Sequence, residues 1–374
     1  MNSLRIHSQD RILFLAPHPD DESLAGGGLL QRAHAAGAKV RVLLATDGDN
    51  NPWPQRFLEK KIKIGSVDRA RWGRRRRKEA IAAMEHLGFP KSAVRFLGLP
   101  DQGVTNLLLR KDEDVMFQFW AELTEWKPTV LIMPSMCDAH PDHSALSVML
   151  HMVLQRIENP PRLYRFIVHP PRRARERGRV VLHLAEPEVE KKREAILMHG
   201  TQMALSRKRF AGYARDEEVF YAGPVQDHMD KHHPIASAGF GRGALKLELR
   251  LAAPSPKLGK ASLIVAMESM TEGSVRWILP IPSSSQCIPI EDGATGGLVR
   301  RAAVRVIGRR AEVSLPIASL QPLKQLFIKF QQRRLFYDEA GWRQIPLPPV
   351  QELAGDPVRD GRDASDSRRE ESLE

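Results

Sequence analysis

The stretch RILFLAPHPDDESLAGGG, Arg11 to Gly28, joins an apolar run, a cluster of one imidazole and three carboxylates, and the start of an amphipathic pattern, with no spacer between them. Arg11 to Ala16 reads as a buried strand, because a short, near-continuous apolar run without polar alternation needs cover on both faces. Helical spacing follows from Glu22 to about Ala36. Outward from this stretch the alternation repeats. Lys39 to Ala45, Ala93 to Leu97, Thr129 to Met133 and Leu163 to His169 predict strands. Arg69 to Leu87, Asp112 to Trp126, His143 to Gln155 and Glu188 to about Ser206 predict helices. This βαβα rhythm implies a Rossmann-like α/β fold, a mostly parallel sheet with helices on both faces. Ligand chemistry in such a sheet collects at loops leaving the C-terminal strand ends.

After about His233 the period changes. Leu245, Leu247, Leu249 and Leu251 alternate with Lys246, Glu248 and Arg250, and further strands are predicted at Ala261 to Met267, Val275 to Ile281, Val299 to Ile307, Ala311 to Leu315 and Leu326 to Phe330. The 374 residues thus divide into an α/β domain over residues 8–230, a smaller all-β, sandwich-like domain over 235–348, and a charged tail over 351–374 expected to be disordered. The apolar faces of the all-β domain are expected to fill its own core, leaving it no part in a metal centre.

No apolar run is long enough to span a membrane, and Arg5, Asp10 and Arg11 interrupt any secretory segment, so a cytoplasmic location is expected. Cys137 and Cys287, the only two cysteines, fall in different domains, which excludes a disulfide framework. A net charge of +12 favours anionic partners and admits peripheral membrane contact, without choosing among phosphates, acidic glycans and lipid headgroups. Arg74 to Lys78, RRRRK, lacks the interleaved aromatics of a nucleic-acid surface and reads as a solvated helix face with one arginine turned inward, so no nucleic-acid partner is expected.

Chemistry concentrates in two places. Pro17-His18-Pro19-Asp20-Asp21-Glu22 leaves the first strand, and His140-Pro141-Asp142-His143 follows the strand Thr129 to Met133. A catalytic zinc takes three His or Asp/Glu ligands and keeps one position for water, and His18, Asp21 and His143 make such a set. Bound zinc brings the pKa of water to about 7, so Asp20 suffices as the base, and His140 can serve the developing oxyanion or the leaving amine. This chemistry suits amide hydrolysis.

LAPHPDDESLAGGG and CDAHPDHSA resemble the two signatures of the PIG-L/LmbE-like family of zinc-dependent N-acetylglucosaminyl deacetylases. Ala45 to Asn50, Arg75 to Phe89, Leu97 to Gly103 and Lys192 to Met203 resemble the family's other blocks in order, so the resemblance covers roughly residues 10–225. It implies His18, Asp21 and His143 as metal ligands for Zn2+ or another divalent transition metal, Asp20 as general base, and His140 as oxyanion stabiliser or acid. It also implies contacts from Arg76 and Asp101 to sugar hydroxyls. Pro17 stands where the family usually has alanine.

The implied activity is zinc-dependent removal of an N-acetyl or similar N-acyl group from an amino sugar or glycoconjugate, anionic or lipid-linked, by attack of zinc-bound water. This is hydrolysis of a non-peptide C–N bond in a linear amide. The alternatives are an amidase on a thiol-sugar conjugate or acylated secondary metabolite, and a non-catalytic glycan- or membrane-associated binding protein. Bland readings compete residue by residue. Asp20 or Asp21 could simply cap the helix, Asp142 could orient an imidazole or cap the helix that follows it, and Asp47-Gly48 could be a plain turn. Gly26 to Gly28 sit too late for a dinucleotide turn and fit close helix–sheet packing instead. Cys137 is not needed as a ligand.

Overall fold

The computed structural model describes residues 4–172, 176–223, 233–241, 243–252, 261–332 and 336–348; the expected tail lies outside the described residues. Seven strands form the first sheet: β1 (Arg11–Ala16), β2 (Lys39–Thr46), β3 (Val94–Leu99), β4 (Val130–Pro134), β5 (Arg162–Phe166), β6 (Arg179–His183) and β7 (Glu217–Ala222). Their order is β3-β2-β1-β4-β5-β7-β6, with β1 to β5 parallel and the β7–β6 edge antiparallel. The order reverses at β1, whose neighbours are β2 and β4. The loops leaving β1 and β4 therefore open on one crevice, where the chemistry was expected.

Among the described residues eight α-helices accompany the sheet: α1 (Asp21–Ala35), α2 (Pro52–Glu59), α3 (Ser66–Leu87), α4 (Val104–Arg110), α5 (Glu113–Trp126), α6 (Pro141–Leu154), α7 (Glu186–Leu197) and α8 (Gly200–Ala211). Ile12, Phe14 and Ala16 of β1 face one core with α1, α3 and α7, while Leu13 and Leu15 face another with α5 and α6. Both faces are thus buried, as the unbroken apolar run implied. Gly26, Gly27 and Gly28 let α1 lie close on its neighbours: a Cβ on them would approach Phe14 to 2.3 Å, Lys192 to 2.8 Å and Leu184 to 2.4 Å.

Sequence pattern missed the edge strand β6, its neighbour β7, and the short helices α2 and α4, which span too few turns to show a period. The predicted Glu188 to Ser206 helix is two helices, broken where His199 adopts φ −78°, ψ 60°.

The second domain is all β: β8 (Ile235–Gly241), β9 (Ala244–Arg250), β10 (Ala261–Ser269), β11 (Gly273–Ile281), β12 (Gln286–Asp292), β13 (Leu298–Ile307), β14 (Arg310–Pro316), β15 (Leu323–Gln331) and β16 (Arg343–Gln344). They form one antiparallel sheet in the order β16-β15-β10-β11-β12-β13-β14-β9-β8. The sheet curls round a single core to which both ends contribute, Ile235 from β8 and Ile345 beside β16, and Arg343 Nη1 donates to the Ile235 carbonyl at 3.0 Å.

Its expected separateness needs correction. Ile264, Ala266, Phe327 and Trp342 are buried in the same cluster as Leu13, Leu131 and Met149 of the α/β domain. On β10, Leu263, Val265 and Met267 face the domain's own core and the intervening residues face the other domain. A continuous apolar run again has two covered faces. Polar contacts fix the junction: Arg276 Nε donates to Leu108 O at 3.2 Å, Gln325 Nε2 to His151 O at 3.2 Å, and Lys111 pairs with Asp292 at 3.2 Å.

Candidate active site and metal centre

β1 runs directly into His18, and α1 begins at Asp21, so one tight turn carries His18, Asp20 and Asp21 to the crevice. Across it, α6 starts at Pro141 with His140 at its N-cap and His143 in its first turn. Three donor atoms converge: His18 Nδ1 lies 3.3 Å from Asp21 Oδ2 and 3.2 Å from His143 Nε2, which lies 3.2 Å from the same Asp21 oxygen. A tetrahedral ion with ligand bonds of about 2.0–2.1 Å sets its ligand atoms about 3.3–3.4 Å apart, so the triangle has the size of one face of a zinc tetrahedron.

The charge balance agrees. Burial disfavours a charged imidazole, yet hydrogen bonds to Asp101, Asp142 and Asp21 hold His18 well above the usual histidine range. For His143 burial is likewise outweighed, by Asp21 and Asp138, and the value rises to about 9. Asp21 is held well below the usual range, against its burial, by His143 and His18. The cluster thus draws in positive charge, and a divalent cation would displace those protons. The residues fit a metal.

Asp138 was missed by the sequence reading. Its buried carboxylate lies 3.2 Å from His143 Nδ1 and accepts the N–H groups of His140 at 2.9 Å and Val168 at 2.8 Å, which turns His143 Nε2 toward Asp21. Its place two residues before His140 was the available signal. Asp101, to which the resemblance assigns sugar contacts, lines the pocket, with Oδ1 3.3 Å from His18 Nε2, and accepts the Asn50 N–H at 2.7 Å. Asp142 accepts N–H groups from Gln102 at 2.6 Å and Val104 at 3.1 Å, so it anchors the start of α4 rather than that of its own helix.

Asp20 sits at the N-cap of α1 with φ 135°, a strained conformation for a side chain bearing residue, and its carboxylate makes no capping bond. Glu22 supplies a cap-like contact instead, accepting the Asp20 N–H at 3.0 Å. Burial pushes Asp20 up to about 7; Arg76 opposes, and Asp21 and Glu22 add to the rise. Arg76 Nη2 lies 3.3 Å from Asp20 and donates to Pro19 O at 2.5 Å, while Nη1 donates to Gly48 O at 2.7 Å. Gly48, at φ 61°, leaves room for that guanidinium, so Asp47-Gly48 is a turn that seats Arg76.

His140 Nδ1 accepts the Asp142 N–H at 3.2 Å. A neutral His140 therefore carries its proton on Nε2, and burial with the neighbouring His18 and His143 keeps its pKa well below the usual range. Behind Asp20, His199 Nε2 lies 3.0 Å from Glu22 and 3.1 Å from Ser23 Oγ, a second network that the sequence reading did not assign.

His18, Asp20, Asp21, Arg76, Asp101 and His140 line a cavity of about 540 Å³ with Trp53, His169, Phe336 and Tyr337. Phe336 and Tyr337 come from the all-β domain. They are held over the site because Asp338 N–H donates to Ala139 O at 2.7 Å, Trp342 N–H to Met136 O at 2.7 Å, and Asp338 pairs with the buried Lys329. Gly341, at φ 68°, lets this segment approach, since a Cβ there would lie 2.3 Å from Met136 O.

Residues 13–153 match the family model PIG-L, described as GlcNAc-PI de-N-acetylase. That segment, from β1 to α6, is a PIG-L match. A 1D-myo-inositol 2-acetamido-2-deoxy-alpha-D-glucopyranoside deacetylase of Mycolicibacterium vanbaalenii is 31% identical over 152 residues, 36% of this chain and 50% of that protein. The match thus spans about half the length of that relative. Among solved structures, a deacetylase of the teicoplanin biosynthetic pathway matches with a TM-score of 0.46 and 21% identity over 58% of this chain and 99% of that one. The N,N'-diacetylchitobiose deacetylase of Pyrococcus horikoshii matches with a TM-score of 0.44 and 18% identity over 57% of this chain and 84% of that one. The PIG-L domain match ends inside α6, so α7, α8 and the whole all-β domain lie beyond it.

Proposed function

We propose that the protein is a metal-dependent hydrolase that removes an N-acetyl or similar N-acyl group from an amino sugar or glycoconjugate, with His18, Asp21 and His143 holding Zn2+ or a similar divalent ion. The observation that carries this reading is the donor triangle of 3.2–3.3 Å, with Asp20 and His140 lining the same cavity. The deacetylase relative and the PIG-L match support the N-acyl sugar class.

A divalent ion held there supplies a Lewis acid and eases deprotonation of the attacking water. Asp20 accepts the proton of that water, and Arg76, 3.3 Å away, fixes its carboxylate. The water oxygen bonds to the amide carbon and the C–N bond breaks, giving a carboxylate and a free amine that receives the proton. His140 donates from Nε2 to the developing oxyanion or the leaving nitrogen. Phe336 and Tyr337 offer aromatic faces and edges against which the apolar face of a sugar ring can pack.

The test is amine release from a panel of N-acetylglucosamine conjugates by zinc-loaded protein. Release that depends on the metal and is lost in Asp20→Ala supports the reading. No release across the panel from fully loaded protein overturns it.

A further inference from the structure

Trp53 and Phe57 project from α2 one helical turn apart, 66% and 60% exposed, and Ile62 beyond the helix is 87% exposed. Large apolar side chains this bare are costly in water unless something covers them. The opposite side of α2 holds the buried Pro54 and Gln55, so the aromatic stripe is a chosen outer face. Lys60 and Lys63 are exposed on either side of Ile62, and the two local acids are already engaged: Glu59 pairs with Arg71, and Asp68 with Lys61 and Arg71. α2 packs against α8, which exposes Leu205, Arg207, Lys208 and Arg209 and carries no acidic residue. Trp53, Leu205 and Arg209 also line the catalytic cavity, so this basic and apolar surface borders its mouth.

We infer that this rim docks the protein onto an anionic lipid bilayer, with Trp53, Phe57 and Ile62 entering the headgroup boundary and the flanking lysines and arginines meeting lipid phosphates. Charge complementarity selects this occupant. Aromatic and aliphatic tips set among cations that have no carboxylate partner among the described residues match an interfacial membrane contact, in which both apolar burial and anionic lipid contribute. Among the described residues no helix is long and apolar enough to cross a membrane, so the contact is peripheral. The inference does not rest on the proposed hydrolysis, and its test involves no turnover.

The experiment is co-sedimentation of the full chain with phosphatidylcholine vesicles, with and without phosphatidylglycerol, at low and high salt. Binding is expected only with phosphatidylglycerol, weakening as salt rises. Lys60→Glu/Lys63→Glu should weaken it by at least about fivefold per lysine. Phe57→Ser/Ile62→Ser should weaken it at constant charge, and the circular dichroism and thermal midpoint of each variant should match the parent because these side chains are exposed. In Trp53→Phe the vesicle-induced fluorescence blue shift should shrink. Absence of binding to anionic vesicles, equal binding to neutral ones, or self-association through this face without vesicle binding would each overturn the inference. Indifference to Phe57→Ser/Ile62→Ser would overturn insertion.

Discussion

The ring of Phe336, from the all-β domain, stands edge-on to the imidazole of His140, from the α/β domain, with centroids 4.9 Å apart and planes at 79°. The pocket is therefore built by both domains, although every candidate ligand comes from one. Tyr337 extends the contact to His169, with centroids 5.1 Å apart. An accessory domain that walls the candidate pocket, and supplies none of its candidate metal ligands, is positioned to influence which substrates fit.

Phe336→Ala and Tyr337→Ala should therefore raise KM about two- to tenfold with kcat nearly unchanged, the worth of one aromatic contact. Steady-state kinetics on a cleaved N-acetyl sugar checks this. A fall in kcat with constant KM would place these rings in the chemical step instead.

Asp20→Ala should keep the metal and lose about 10²–10⁴-fold in kcat, the usual share of a positioned acid or base. His18→Ala should lose both metal and activity. Metal content by elemental analysis, read beside turnover, separates the two, and full turnover by Asp20→Ala would move the base elsewhere.

Asp138→Asn should lower metal affinity about 10–100-fold by loosening His143, without removing any atom of the donor triangle. Competition against a chromogenic chelator measures it. Unchanged affinity would reduce Asp138 to a backbone anchor.

His151, buried where α6 meets the all-β domain, has its pKa lowered to about 4 by burial, against an ordinary value of 6.5. Between those values the unfolded chain binds a proton that the folded one refuses, so stability falls as pH drops through this window. The full loss is about 3 kcal/mol. Denaturant midpoints from pH 7 to 4 should show the slope, and His151→Gln should flatten it.

If the all-β domain filled only its own core and took no part in the metal centre, a fragment ending near Pro234 would keep its metal as an independent domain. The shared core reverses that expectation, because cutting there bares the surface that Phe327 and Trp342 cover. The fragment should aggregate or melt far below the full chain, and Trp342→Ala should cost about 3–5 kcal/mol in the intact protein. A fragment with the parent's thermal midpoint would show that the junction adds little.

The parallel sheet and the convergence of two loops were readable from sequence because they rest on local signals: unbroken apolar runs at Ile12 to Ala16 and Thr129 to Met133, each followed by an imidazole cluster. Chain order alone carries such motifs to the same end of a parallel sheet, which made His18, Asp21 and His143 nameable in advance. Tertiary structure alone decided what surrounds them. Asp101 faces His18, Arg76 is seated in the Gly48 turn, and Asp142 anchors a different helix from its own. These depend on side-chain direction at close range, which no periodicity encodes. The contribution of Phe336 and Tyr337 was equally hidden. It depends on how the two sheets pack through Ile264, Phe327 and Trp342, and hydrophobic pattern shows that a face is buried without saying against what.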